Sequence, residues 1–206
     1  MNSFLIHGCY DSSTLNTLKN LGTKELAFDL RGRSPNIIPF RDLKILLKSV
    51  LTSKVFLTFE NDSKETILAF LNLLKDEPFK FQLIFRDCRP AEFYQSIPAP
   101  FLWMFNPAGD WKAVLNLPLI KGVLLPVKLQ KHFQALPLLW ETLEKKNLDV
   151  YLHAESFGEL ATLNLENDTK ISLDLTSEIE TSFRVVDQDK LKRMPVWRKF
   201  NENPAI

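Results

Sequence analysis

Residues 54–87 read KVFLTFENDSKETILAFLNLLKDEPFKFQLIFRD, and they give the strongest indication of fold class in the chain. The runs 54–61 and 80–87 are rich in Val, Ile, Leu and Phe, and the segment SKETILAFLNLLK between them has helical spacing. Both runs are nearly continuously apolar rather than alternating, as in strands that are covered on both faces. The stretch therefore predicts a strand, a helix and a second strand of a parallel sheet.

The same succession of strand and helix recurs along the whole chain. About eight runs are typical of strands, and they lie near residues 3–8, 25–31, 54–61, 80–87, 101–106, 120–126, 149–154 and 170–175. After the first run, Leu15, Leu18 and Leu21 share one helical face, the serines before them suit an N-cap, and Gly22 suits a helix end. Proline in the segments after the fourth and fifth runs predicts short or irregular helices there.

Eight such units of roughly 25 residues predict an α/β fold, a single (β/α)8 TIM barrel over residues 1–206. An open doubly wound sheet rarely needs eight units, and the chain lies near the lower limit of about 200 residues for a barrel. An array of long helices is the alternative, but the runs are too rich in β-branched and aromatic residues for it. No linker or low-complexity segment interrupts the pattern, so we expect one domain.

Charge and composition argue against several classes of partner. The 26 basic and 25 acidic residues are well mixed and give no basic stripe for nucleic acid. Cys9 and Cys88 are too few for a disulfide framework, and no Cys/His cluster suits zinc. No apolar stretch approaches about 18 residues, and no basic leader precedes the first run. We expect a cytoplasmic monomer or homodimer with a small-molecule ligand, no nucleic-acid or membrane partner and no cofactor.

Two stretches carry a resemblance to a known family. LAFDLRGRSPNIIP at 26–39 resembles the second strand and following loop of phosphoribosylanthranilate isomerases, which run Gly-Phe-x-Phe-x-x-x-Ser-Pro-Arg-x-Ile. ISLDLTSEIETSFRVVDQDKLKRM at 171–194 resembles their last strand and final helix, with Asp174, Ser177, Glu180 and Asp187 at the family spacing. The order of elements and the length agree as well. The resemblance implies a TIM barrel with its site at the C-terminal ends of the strands.

The resemblance also implies an Amadori rearrangement in tryptophan biosynthesis, in which an aminoaldose phosphate becomes an aminoketose through a base and an acid. The implied cysteine base lies at the end of strand one, where this chain has His7, with Cys9 two residues on. The implied aspartate acid lies at the end of strand six, after Leu124 and Leu125, where this chain has Pro126. Because the Pro126 side chain neither donates nor accepts a proton, it excludes general acid catalysis from that position.

The binding groups that the resemblance implies are altered too. The arginine expected to hold the anthranilate carboxylate is Asn36, which loses the bidentate charged contact. The glycines that would let backbone N–H groups cradle the substrate phosphate are replaced by Glu155 and Ser156 after strand seven, and by Glu178, which follows Ser177, after strand eight. Two unit charges about 4 Å apart interact by roughly 4 kcal/mol at an effective dielectric constant of 20. We expect these glutamates to disfavour phosphate unless a cation such as Lys128 or Arg184 neutralises one of them.

Several of these residues have more than one interpretation. His7 is either an imidazole base or a hydrogen-bonded histidine of the barrel mouth. Asp29 and Arg31 share strand parity and are expected to line the pocket as a structural or ligand-binding ion pair. We interpret Cys9 as a small buried residue. Three clusters have open interpretations. Arg86, Asp87 and Asp174 are interpreted as solvated strand ends or helix caps, and Phe101, Trp103 and Phe105 as a packed strand or a stacking platform. A metal site of His7, Glu155 and Glu178 is supported by residue type alone.

Three functional hypotheses follow. The favoured one is a divergent phosphoribosylanthranilate isomerase-like barrel that has lost the isomerase activity and binds or senses a small molecule at its mouth. The second is a working isomerase of phosphoribosylanthranilate or a related sugar metabolite, with His7 as base and a relocated acid such as Asp29 or Asp87. The third is a structural scaffold with a plugged mouth. The predicted ligand-binding residues are Arg31, Asn36, Glu155, Ser156, Ser177 and Glu178, and no metal ligand is predicted.

Overall fold

The computed structural model describes residues 3–32, 34, 37–50, 54–77, 80–131, 136–161, 169–175, 180–182 and 185–193. Eight parallel strands close into a barrel in sequence order, with the last strand paired to the first. The strands are β1 Ser3–His7, β2 Glu25–Asp29, β3 Lys54–Phe59, β4 Phe81–Phe85, β5 Phe101–Met104, β6 Ile120–Pro126, β7 Asp149–Ala154 and β8 Lys170–Asp174. The structure therefore confirms the predicted fold class.

Helices follow the strands around the outside of the barrel. They are α1 Ser12–Asn20, α2 Phe40–Lys48, α3 Lys64–Leu74, α4 Ala91–Gln95, α5 Trp111–Leu115, α6 Leu136–Lys145, α7 Phe157–Ala161 and α8 Gln188–Lys192. The 3-10 helix Val127–Lys131 follows β6, and the strands β9 Glu180–Ser182 and β10 Val185–Val186 form a small antiparallel sheet that the sequence analysis did not predict. Both α4 and α5 are five residues long, as their flanking prolines predict.

Local sequence accounts for the bounds of α1. The Asp11 carboxylate, rather than a serine, caps the helix by accepting a hydrogen bond from the Thr14 N–H at 2.8 Å. The prediction of a serine N-cap is wrong because Ser12 and Ser13 already lie in the first turn. Gly22 follows the helix with a φ of +83°, a conformation that glycine adopts without strain.

The apolar side chains form two layers. The larger layer lies between the barrel and the helices, and Cys9 is fully buried within it, as predicted. Phe101, Trp103 and Phe105 also belong to this layer, which confirms that they are packed, although β5 ends at Met104, one residue before Phe105. The smaller layer fills the barrel interior and consists of Leu5, Ala27, Phe56, Ile84, Leu102, Leu124 and Tyr151. The interior is therefore a packed core below the mouth rather than a channel.

Close packing of neighbouring strands gives a stability prediction at Gly122 in β6. A Cβ added to Gly122 would lie 2.2 Å from the Asp149 carbonyl oxygen of β7. We expect Gly122→Ala to lower the free energy of unfolding by about 1–3 kcal/mol, because backbone rather than a flexible side chain must move. The control is Gly32→Ala, where, apart from its chain neighbours, no described residue has an atom within 4 Å of the added methyl group. Urea denaturation of both variants checks this, and equal stabilities would contradict it.

Candidate functional site

The barrel mouth carries a ring of mostly polar side chains directly above the interior apolar layer. Because strand side chains alternate, the residue two positions beyond each interior residue also points inward. Applied to the seven residues of the interior layer and to the buried Ser172 of β8, this rule identifies the members of the ring as His7, Asp29, Thr58, Arg86, Met104, Pro126, His153 and Asp174. Strand pairing brings His7 beside Asp174 and Pro126 beside His153. The ring therefore gathers residues from all eight strands into one site.

Two buried histidines share one serine below this ring. The Ser172 Oγ lies 2.7 Å from His7 Nε2 and 2.9 Å from His153 Nδ1. Arg86 Nη2 lies 3.3 Å from His153 Nε2. Since a guanidinium can only donate, His153 Nε2 accepts and its Nδ1 carries the proton that is donated to Ser172. The network therefore assigns a neutral tautomer to His153.

Burial keeps both imidazoles uncharged at neutral pH. The side chains of His7 and His153 have exposed fractions of 5% and 2%. Removal from water, which penalises the charged form, lowers the pKa of His7 to about 3 and the pKa of His153 to about 4. The negative charge of Asp174 opposes this effect in both cases and is too weak to reverse it. His7 is therefore a poor proton acceptor near pH 7.

Asp174 forms a buried ion pair across the barrel with Arg86. The Arg86 Nη1 lies 2.8 Å from Asp174 Oδ2, and the side chains are only 12% and 11% exposed. Burial alone would raise the pKa of Asp174, but interactions with His7, Arg86 and His153 outweigh it and hold the pKa below the ordinary range. The Arg86 guanidinium also donates a hydrogen bond to Asp174. Asp174 Oδ1 lies 3.8 Å from His7 Nδ1 and is buried without a hydrogen-bond partner among the described residues.

The structure corrects the interpretation of Arg86, Asp87 and Asp174 as solvated strand ends or helix caps. Asp174 pairs with Arg86 instead, because the closed barrel brings β4 and β8 to one mouth. Asp87 is buried and accepts hydrogen bonds from the Asn61 N–H and from Arg89 Nε, both at 2.9 Å. All three are therefore parts of the packed mouth.

The predicted ion pair of Asp29 and Arg31 is present. Arg31 Nε donates to Asp29 Oδ1 at 2.8 Å, and Nη2 donates to Oδ2 at 2.6 Å. The Ser34 hydroxyl also donates to Oδ2, at 2.5 Å, and Arg31 Nη1 reaches Glu60 at 3.2 Å. Both oxygens of Asp29 thus accept hydrogen bonds within the protein, so Asp29 is not poised as a relocated general acid.

The loop after β7 has its polar groups engaged as well. Lys128 forms an ion pair with Glu155 and lies 3.5 Å from Glu159. The backbone N–H of Glu155 donates to Glu159 Oε2 at 2.9 Å, and the N–H of Glu159 donates to the Ser156 hydroxyl at 3.1 Å. Lys128 is thus one of the two cations that the sequence analysis considered for neutralising a glutamate. The backbone N–H of Glu155, directly after β7, is therefore already taken by a carboxylate.

Not every predicted residue can be located. His7, Asp29, Arg31 and Pro126 belong to the mouth or its edge, and Glu155 and Ser156 lie just beyond β7. Asn36, Ser177 and Glu178 lie outside the described residues, as do Arg184 and the tail containing Trp197. Sequence reasoning did not single out His153, Ser172 or Thr58. The period-two spacing from Tyr151 to His153 and from Phe56 to Thr58 could have identified two of them.

A small pocket opens between β1, β2, β3 and β8. His7, Gly8, Ala27, Asp29, Arg31, Thr58 and Asp174 line it. Its free volume of about 10 Å³ is the space that one water molecule needs. The Thr58 Oγ1 atom is buried and, like Asp174 Oδ1, has no hydrogen-bond partner within the described part of the chain. Two polar atoms of the pocket lining are therefore free to contact a ligand.

Solved structures share this architecture. The chain is similar to the phosphoribosylanthranilate isomerase of Thermus thermophilus, with a TM-score of 0.66 and 18% identity over 97% of this chain and 98% of that one. The fold is that of the phosphoribosylanthranilate isomerases. TrpF from Jonesia denitrificans gives a TM-score of 0.64 and 12% identity over 100% of both chains. An isomerase in complex with reduced 1-(o-carboxyphenylamino)-1-deoxyribulose 5-phosphate gives 0.64 and 15%, over 93% of this chain and 95% of that one.

Sequence comparison adds no closer relationship. No protein-family model matches the chain, and no curated protein sequence matches it. At identities of 12–18%, the structural likeness establishes the barrel fold and leaves activity to be argued from the site itself. Among the described helices, none is long and apolar enough to cross a membrane.

Proposed function

We propose that this chain is a small-molecule-binding barrel that does not catalyse the Amadori rearrangement of phosphoribosylanthranilate. The observation that carries the proposal is that the mouth contains Pro126 at the end of β6 while Asp29 already accepts hydrogen bonds through both oxygens. The mouth position of β6 has no group that transfers a proton, and both oxygens of Asp29 are held by Arg31 and Ser34. An isomerisation that moves protons between adjacent carbons needs a positioned acid as well as a base. In this sense the chain is a pseudoenzyme of the isomerase fold, and we place it in the cytoplasm as a monomer or homodimer.

The remaining candidate base supports the same proposal. A general base works best when its pKa lies near the working pH. The pKa of His7 is lowered to about 3, and its Nε2 contacts Ser172 below the pocket. Efficient proton abstraction by His7 would require a pKa near the working pH, and burial lowers the pKa of His7 well below it.

The polar groups that stay free define the class of ligand. Asp174 Oδ1 is an acceptor, and Thr58 Oγ1 both donates and accepts. A ligand that offers hydroxyl or ammonium donors satisfies both atoms, whereas a phosphate offers further acceptors. The Glu155 N–H, which could have contacted a phosphate, already donates to Glu159. We therefore propose a neutral or cationic ligand. Because the free volume of the pocket holds only about one water molecule, side chains at the mouth must move when this ligand binds.

A charge-matched panel of probes tests this proposal. Calorimetric titrations with ribitol, 1-amino-1-deoxyribitol and ribitol 5-phosphate, on protein kept in chelator, compare ligands that differ mainly in charge. We expect the amine to bind at least about tenfold more tightly than the phosphate, and inorganic phosphate to bind no tighter than millimolar. Asp174→Asn is expected to weaken binding of the amine by about tenfold or more and so to remove this preference, since a hydrogen bond to a charged group contributes about 1.5–3 kcal/mol.

The control for this titration is Glu144→Gln, an exposed carboxylate near the end of α6. It is expected to leave the preference unchanged. Submillimolar binding of phosphate or ribitol 5-phosphate by the unmodified protein would overturn the proposed ligand class. Phosphate binding gained only in the double variant Glu155→Gly and Glu178→Gly would support it.

The second candidate function is an active isomerase of phosphoribosylanthranilate or a related sugar metabolite, with His7 as base. The likeness of fold over 97% of the chain favours it, because the neighbours that share this fold are isomerases. It requires a general acid among residues that are now engaged, such as Asp29 or Asp87. Turnover that disappears in His7→Ala would favour this candidate over a binding protein.

A further inference from the structure

Three side chains of the mouth ring are of the types that bind metal ions in proteins, and they lie close together. His153 of β7, Asp174 of β8 and His7 of β1 lie on three adjacent strands of the barrel. One ligand-capable atom from each lies within 4.8 Å of the other two. His7 and His153 are buried, and the Asp174 side chain is only 11% exposed. Asp174 Oδ1 has no hydrogen-bond partner among the described residues. Two imidazoles and one carboxylate are a common donor set for transition metals in proteins.

We propose that His7, His153 and Asp174 bind a divalent transition metal ion such as Zn²⁺ at the floor of the mouth. The site goes beyond the proposed small-molecule function and does not depend on it. This set differs from the set of His7, Glu155 and Glu178 considered from sequence. Glu155 is not used as a ligand because its side chain is 55% exposed and paired with Lys128.

Ser172 supplies the outer contacts that such a site needs. Histidines that bind a metal through one nitrogen usually donate a hydrogen bond from the other, which fixes the ring. Here His7 Nε2 and His153 Nδ1 both contact the Ser172 hydroxyl, which can accept two hydrogen bonds. The nitrogens left for a metal are His7 Nδ1, which lies 3.8 Å from Asp174 Oδ1, and His153 Nε2.

Arg86 is the group that opposes metal binding. Its guanidinium contacts His153 Nε2 at 3.3 Å and Asp174 Oδ2 at 2.8 Å, so it already places positive charge beside two of the three ligands. In the metal-bound protein Arg86 leaves His153 and keeps Asp174 Oδ2, the oxygen that does not bind the metal. Repulsion between the two cations lowers affinity, and we therefore expect micromolar rather than tighter binding.

The donor set selects the class of metal. Imidazole nitrogens suit Zn²⁺, Co²⁺, Ni²⁺ and Cu²⁺, whereas Mg²⁺ and Ca²⁺ prefer sites made of oxygen ligands. In tetrahedral coordination, ligands about 2.1 Å from a zinc ion lie roughly 3.4 Å apart. The three ligand atoms, which lie within 4.8 Å of one another, therefore draw together by up to about 1.4 Å when the ion binds. With three protein ligands, coordination positions stay open toward the mouth.

Metal titration of the unmodified chain tests this site. After removal of metal with a chelator, Zn²⁺ is titrated calorimetrically and Co²⁺ by its visible absorption. We expect one ion per chain with micromolar affinity, and a Co²⁺ spectrum that reports nitrogen coordination. His7→Gln and His153→Gln are each expected to weaken binding at least about tenfold. Arg86→Gln is expected to strengthen binding, which a general effect on folding would not do.

Cys88→Ser is the control, because this exposed thiol could bind metal by itself. Binding that is unchanged in Cys88→Ser and lost in His153→Gln supports the site. If the histidine variants do not fold, the Co²⁺ spectrum of the unmodified chain and the effect of Arg86→Gln decide. Zn²⁺ binding weaker than millimolar in the unmodified chain, or undiminished in a folded His153→Gln variant, would overturn the proposal. Neither result depends on whether a polyol or amine binds.

Discussion

The purified chain is expected to convert phosphoribosylanthranilate at least about 10²- to 10⁴-fold more slowly than isomerases of the same fold, because a positioned acid or base contributes a factor of that size. Pro126 has no proton to transfer, and Asp29 is held by Arg31 and Ser34. The pKa of His7, lowered to about 3 by burial, weakens the base as well. Loss of both functions is expected to cost more than loss of either one alone.

The measurement is consumption of phosphoribosylanthranilate, run beside the Thermus thermophilus isomerase under identical conditions. His7→Ala is the informative variant. We expect it to leave any residual rate unchanged, since we propose that His7 does not act as the base. A rate within tenfold of the reference enzyme, abolished by His7→Ala, would show that a relocated acid exists.

The second large effect is a loss of stability in mild acid. His7 and His153 have pKa values of about 3 and 4 in the folded chain, against 6.5 as the ordinary value. Below pH 6.5 the unfolded chain therefore binds protons that the folded chain does not. Stability rises with pH wherever the unfolded state binds more protons, so it falls as pH drops from 6.5 toward the folded-state values. Two groups at about 1.4 kcal/mol per pH unit each predict a loss of roughly 2–4 kcal/mol between pH 7.5 and pH 5.

Asp174 adds to this effect at lower pH. Its pKa lies below the ordinary carboxyl value, so the stability that it contributes is present above that value and is lost as pH falls further. Urea denaturation of the chain in chelator, at intervals between pH 7.5 and pH 5, measures the combined slope. The histidine contribution dominates this window because carboxyl groups titrate mostly below it.

The double variant His7→Gln and His153→Gln separates the histidine effect from general acid sensitivity. We expect the pH slope of its unfolding free energy to flatten over this window, whatever its absolute stability. Magnetic resonance of the imidazole rings gives a second readout in the unmodified chain, where neither ring is expected to titrate above pH 5. Titration of the His7 or His153 ring near pH 6.5 would contradict the assigned burial and the acid sensitivity together.

The barrel was accessible from sequence because its signals are local. Runs such as 54–59 and 81–85 are nearly continuously apolar, and the helix between them has its own period. Chain order alone then gives the strand order, since consecutive parallel strands neighbour one another. The small sheet of β9 and β10 was missed because strands of three and two residues carry too little pattern.

The site was only partly accessible for a different reason. His7, Asp29 and Pro126 were found through strand ends, which sequence reveals. The contacts that decide their chemistry are not local: Arg86 meets Asp174 from 88 positions away, and Ser172 meets His7 from 165 positions away. Closure of the barrel creates these pairs, and no spacing rule within one strand predicts which partner each side chain finds.

Complementation of an isomerase-deficient tryptophan auxotroph tests the central claim most directly, because growth integrates every route by which this mouth could perform the rearrangement. The chain is expressed at an ordinary level, and immunoblotting confirms that soluble protein is present. Expression of the Thermus thermophilus isomerase from the same vector provides the positive control. We predict no growth without tryptophan. Growth of the strain carrying the unmodified chain, and its loss in the His7→Ala variant, would contradict the account and identify the chain as a working isomerase.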